Sequence, residues 1–85
     1  MGWSASIRVV DESGDPVSGA TVTLNFSVMS GIGTEYTDSD GWAEFDYESI
    51  DKSEMWVNDV YVNGDRVGGD FYLENGETLS FSLGD

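Results

Sequence analysis

The chain contains no cysteine and no histidine. The first absence excludes a disulfide framework and any thiolate metal site, and the second removes the commonest general base and zinc ligand. Basic residues are nearly missing too: Arg8, Lys52 and Arg66 stand against 17 Asp and Glu in 85 residues, a formal net charge of −14. A phosphate backbone would repel such a chain, and three scattered cations form no basic stripe, so direct nucleic-acid binding is excluded. Apolar runs are a few residues long, against the roughly 20 needed to span a bilayer, so no membrane insertion is expected. The start Met1-Gly2-Trp3-Ser4-Ala5-Ser6 has neither the charged nor the apolar region of a signal peptide. Met1-Gly2 with Ser6 formally fits a myristoylation pattern, but bulky Trp3 argues against it. High net charge often marks disorder. Here 39% apolar residues, with three Trp, four Tyr and four Phe, supply enough burial for a folded core.

What is present is period two. In Thr78 to Leu83, Leu79, Phe81 and Leu83 alternate with Ser80 and Ser82, giving one buried and one solvated face. Ala20 to Val28 alternates likewise, with Val22, Leu24, Phe26 and Val28 inward and Thr21, Thr23, Asn25 and Ser27 outward. Ser4 to Val10 turns Ile7 and Val9 inward, and Trp42 to Tyr47 places Ala43, Phe45 and Tyr47 opposite Trp42, Glu44 and Asp46. Turn chemistry separates these runs: Glu12-Ser13-Gly14-Asp15-Pro16, Ser30-Gly31-Ile32-Gly33 before a strand at Thr34 to Thr37, Asp38-Ser39-Asp40-Gly41, and Glu74-Asn75-Gly76-Glu77. Asn63-Gly64 is a hairpin signal of type I′. Glu48 to Glu54 reads either as a short helical turn with Ile50 as a plug or as a polar loop. Met55 to Val62 is apolar on both parities, Trp56, Val60 and Val62 on one, Met55, Val57 and Tyr61 on the other. Either the strand is covered on both sides or one face meets a partner. The pattern predicts a single all-β domain over residues 1–85, an antiparallel sandwich of about seven strands, Ig-like or transthyretin-like. Its expected core is Ile7, Val9, Val17, Val22, Leu24, Phe26, Phe45, Val60, Leu79, Phe81 and Leu83.

Two blocks carry a resemblance. Ile7-Arg8-Val9-Val10-Asp11 followed by Gly14-Asp15-Pro16-Val17-Ser18-Gly19-Ala20-Thr21-Val22-Thr23-Leu24, and then Thr37-Asp38-Ser39-Asp40-Gly41 with Ala43-Glu44-Phe45, resemble the carboxypeptidase regulatory-like domains of transthyretin-like (prealbumin-like) fold. They are also similar to bacterial Ig-like repeats. The likeness covers about the first half of the chain. It implies a non-catalytic accessory, adhesive or structural module. The Lys-Asn isopeptide cross-link of some related sandwiches is not expected, because Arg8 is the basic residue of the first strand and Lys52 lies in a loop.

The acidic residues fall mostly in turns or at outward strand positions, a solvated surface rather than the converging pair that glycoside hydrolysis needs. No enzyme activity is expected. For calcium, Asp38, Asp40 and Glu44 offer oxygen ligands beside a Gly turn, and Asp11, Glu12 and Asp15 cluster in another loop, without the full spacing of an EF-hand. The scarcity of Lys beside abundant Asp and Glu fits a halophilic origin or a basic partner. Trp42, with Tyr36 or Tyr72, could stack on carbohydrate, and Trp42, Met55, Val57 and Tyr61 could pack against a protein partner or a second copy. Asn25-Phe26-Ser27 matches a glycosylation acceptor but sits mid-strand. These signals together suggest a structural or interaction module of a surface or virion assembly such as a capsid, turret or tail, extracellular or on the virion surface. The alternative is a carbohydrate-binding or adhesion module excised from a larger extracellular protein.

Overall fold

The computed structural model describes residues 2–26 and 32–83. Within them lie eight strands: β1 (Trp3–Val10), β2 (Thr21–Phe26), β3 (Ile32–Tyr36), β4 (Trp42–Tyr47), β5 (Glu54–Val62), β6 (Asp65–Gly68), β7 (Phe71–Glu74) and β8 (Glu77–Ser82). They form two packed sheets, a three-stranded one in the order β4-β1-β8 and a five-stranded one in the order β3-β2-β5-β6 with β7 also on β5. The expected all-β sandwich is therefore present. The readings for Ser27, Val28, Ser30 and Gly31 lie outside the described residues, whereas Ile32 and Gly33, read as loop, begin β3.

Alternation does the sorting. The pleat sends Trp3, Ala5, Ile7 and Val9 of β1, Val22, Leu24 and Phe26 of β2, and Ala43 and Phe45 of β4 into one buried cluster. Trp3, at the rim of the expected first strand, is fully buried: its indole Nε1 donates to the Leu73 carbonyl at 3.1 Å, and its ring meets Phe26 edge-on and stacks on Tyr47. Val17, Leu79, Phe81 and Leu83 join the core only at its margin, half-buried. Ile50 packs there as well, from a loop without helix.

Three features depart from simple antiparallel pairing. The turn after β7 hooks onto β1, where Gly76 N donates to Ser4 O and Ser4 N donates to Asn75 Oδ1, so β8 sets off beside Ser4-Ala5 and runs parallel to β1. The smaller sheet is thus mixed. The edge of the larger sheet breaks at Gly69-Asp70, where Asp70 has φ 61° and a side chain on Gly69 would collide with the Asn58 carbonyl, so β6 and β7 share β5 as successive partners. That break lifts the strand count above seven. The Asn63-Gly64 turn does form a two-residue hairpin with both φ values positive, 53° and 89°, as type I′ requires.

The third feature is in β5. Asn25 pairs with Asp59 but Phe26 pairs with Val57, so Asn58 is an extra, bulged residue and the side-chain alternation switches there. Met55 and Val57 precede the bulge and Val60 and Val62 follow it, and all four are buried. This corrects the expectation that Met55 and Val57 face a partner: they are 1% and 0% exposed, inside the sandwich. Tyr61 stays outward, and Trp56, grouped by parity with the core, joins it on the outer face.

The two resemblance blocks meet in space at one corner. The Thr37 hydroxyl donates to Val17 O at 2.6 Å and accepts from Ala20 N at 2.9 Å, while Gly19 N donates to Thr37 O and Thr37 N to Ala20 O. Val9 N donates to Gly41 O beside them. Gly41 has φ +83°, and a Cβ there would lie 2.6 Å from Val9 O and 3.1 Å from the Pro16 ring, so both shape and space demand glycine.

Candidate functional site

The outer face of the larger sheet carries four aromatic residues that the buried core leaves out, Tyr36, Trp56, Tyr61 and Tyr72. Register fixes its rows: Tyr36 beside Thr21, Thr34 beside Thr23 beside Tyr61 beside Arg66, Ile32 beside Asn25 beside Asp59, and Trp56 beside Tyr72. Among the described residues the large hydrophobic side chains that stand exposed are Ile32, Tyr36 and Tyr72, at 67%, 68% and 57%, and all three belong to these rows.

A polar network holds the middle of the face. Arg66 Nε donates to Asp59 Oδ1 at 2.7 Å, Asn25 Nδ2 donates to Asp59 Oδ2 at 2.9 Å, and Arg66 Nη2 reaches Asn58 O and Asp70 Oδ2 at 3.2 and 3.4 Å. The Asn58 amide oxygen accepts from Trp56 Nε1 at 2.9 Å, so the bulged residue ties the aromatic pair to the ion pair. Hydrogen bonds from Arg66 and then from Asn25 lower the Asp59 pKa, and the Asp59 carboxylate raises that of Arg66. Asp59 therefore stays ionised to lower pH than an ordinary Asp, the opposite of what a general acid requires. Trp56 and Tyr72 meet edge to face, centroids 4.9 Å apart at 76°. Such a pair is a ridge rather than a flat stacking platform.

The residues singled out from sequence are dispersed. Trp42 lies on the outer face of the smaller sheet, across the sandwich from Tyr36 and Tyr72, with the Arg8 guanidinium 5.7 Å from its ring centroid. Tyr36 and Tyr72 share a face but stand at its opposite edges, on β3 and β7. Asp38, Asp40 and Glu44 do not converge. The Asp38 carboxylate accepts from Asp40 N and Trp42 N and so closes its own turn, while Glu44 accepts from the Ser6 hydroxyl. In the other acidic loop Asp11 accepts from Ser13 N and Asp15 N. Among the described residues no three carboxylates group as a metal site.

Tyr47 is the other group with a shifted pKa, raised by burial and then by the nearby Glu35 carboxylate; its hydroxyl fills the space that a side chain at Gly33 would need. Two depressions, one beside residues 51–54 and one between residues 11–13 and the Asn63-Gly64 hairpin, are lined by carboxylates without an aromatic ring. The Trp56, Asn58, Asp59 and Arg66 assembly was not legible from spacing, because the bulge that creates it breaks the alternation used to assign faces. Its one signal was the double apolar parity of β5.

No protein-family model matches the chain, and no curated protein matches it.

Proposed function

We propose that the chain is a non-catalytic structural or interaction module that presents the outer face of its larger sheet to neighbouring proteins in a surface or virion assembly. One observation carries this reading: exposed Ile32, Tyr36 and Tyr72 all sit on that face, around a rigid hydrogen-bonded centre. The resemblance to carboxypeptidase regulatory-like and bacterial Ig-like modules supports it, since the shared residues build the corner of the fold and leave the chemistry of the faces free. Tyr61, on this face, is retained from the partner residues read in the sequence; Met55 and Val57 are replaced by Trp56 and Tyr72. Radical footprinting of the assembled and the isolated protein tests the proposal. Protection of Tyr36 and Tyr72 on assembly is expected, and equal reactivity in both states overturns it.

The carbohydrate reading keeps one supporting observation, the adjacency of Tyr72 and Trp56 to Asn58 and Asp59, which could accept from sugar hydroxyls. A saturable Trp fluorescence change with oligosaccharides, lost in Tyr72→Ala, would put it in place of the assembly reading. The acidic surface further supports a halophilic source. Repulsion within a chain of charge −14 weakens the compact state until salt screens it, so the melting temperature should rise from dilute buffer to roughly molar salt. Equal melting temperatures would remove that attribution.

A further inference from the structure

Among the described residues the sandwich has free edges at β3, β4, β8 and the β6/β7 line. Unpaired strand edges invite pairing with another chain, and proteins ordinarily guard them with charge, breaks or bends. Three of these edges are guarded. β3 turns Glu35 toward the interior side, β4 carries Glu44 and Asp46, and the β6/β7 line holds Asp65, Arg66, Asp70 and Glu74 and is broken at Gly69. From Thr78 to Leu83, β8 and the residue after it carry no charge, no proline and no bulge. Each of the other described edge strands carries charge. The apolar residues of this stretch are also unfinished: Leu79, Phe81 and Leu83 remain half-buried where the alternation demands full burial.

We propose that β8 is a self-pairing edge, joining a second copy of this chain antiparallel about a two-fold axis at Ser80. The proposal goes beyond the assembly reading, which concerns the opposite sheet. Leu83 N donates to Val10 O, so by alternation the backbone groups of Phe81 and Leu79 also face β1, and those of Ser82, Ser80 and Thr78 face the free edge. A two-fold centred on Ser80 sets Ser80 opposite its own copy and Thr78 opposite Ser82, for about six backbone hydrogen bonds between chains. On the inner side the same register places Leu79 against Phe81 of the other copy and extends the apolar seam. Glu77 then faces Leu83 rather than the other Glu77. A register that keeps like charges apart is what two copies of so acidic a chain need, and it makes the second copy a better occupant than a basic peptide, for which this uncharged strip offers no partner. Pairing also continues the narrow three-stranded sheet into a six-stranded one.

Sedimentation equilibrium of the full chain in dilute buffer and in salt tests this. The dimer constant should tighten by about tenfold or more between dilute buffer and roughly molar salt, as the repulsion of the two copies is screened. Ser80→Pro removes an N–H that faces the edge and none that faces β1, so it should leave a folded monomer. Should that variant fail to fold, Ser80→Glu sets two carboxylates across the axis on the solvent side and should likewise stay monomeric. A wild-type chain that remains monomeric in molar salt, or a Ser80→Glu variant that dimerises as well as wild type, overturns the proposal. Footprinting separates the readings: β8 pairing protects Phe81, while the assembly reading concerns Tyr36 and Tyr72 on the other sheet.

Discussion

The corner between the β1–β2 loop and the β3–β4 turn and the free edge of β8 are both short backbone segments held by hydrogen bonds, and they spend those bonds differently. At the corner Val9, Val17, Gly19, Ala20, Thr37 and Gly41 exchange backbone and hydroxyl bonds among themselves in a closed set. At β8 one side of the strand pairs with β1, and among the described strands nothing pairs with the other. A closed set fixes shape and tolerates little substitution. An open one leaves donors, acceptors and apolar surface for another chain.

The comparison breaks most directly at Gly41. Gly41→Ala imposes a Cβ at φ +83° within 2.6 Å of Val9 O, and should cost about 3 kcal/mol in denaturant unfolding. Thr37→Val keeps the shape of the side chain but strands the Ala20 N–H and the Val17 carbonyl, for a loss of about 2 kcal/mol by the same measurement. The Asp59–Arg66 pair on the outer face is an intermediate case, bonded yet half open to solvent. Because the folded state lowers the Asp59 pKa, its contribution is present above the ordinary Asp value and is lost as pH falls through the lowered one. Unfolding measured from about pH 6 to about pH 3 should therefore show a shallower acid loss in Asp59→Asn than in wild type. The smallest effect belongs to the open edge: Ser80→Ala in the monomer should change stability by less than about 0.5 kcal/mol. A larger change would mean that β8 is less open than its pairing shows.

Much of the frame was legible because period two is a local property. The strand Trp42–Tyr47 has the bounds that its alternation predicts, and Ile7, Val9, Val22, Leu24, Phe26, Phe45 and Val60 are buried as read. Turn chemistry was equally readable at Asn63-Gly64 and Gly41, where backbone shape selects the residue. The candidate site was not. Faces are assigned by counting along a strand, and the bulge at Asn58 adds one to the count, which sent Met55 and Val57 outward and grouped Trp56 with Val60 and Val62. Asp38 likewise looked like a ligand, because composition does not say whether a carboxylate is already occupied by its own turn.

By itself, then, the sequence determined an acidic all-β chain, its main turns and most of its inward residues, since each depends on neighbours within a few positions. Only the tertiary structure decided that β8 runs parallel to β1, that β6 and β7 divide one edge, and which aromatic rings share a face. Those outcomes depend on hydrogen bonds between residues as far apart as Ser4 and Gly76, and no local pattern encodes which distant strand will take up a free edge.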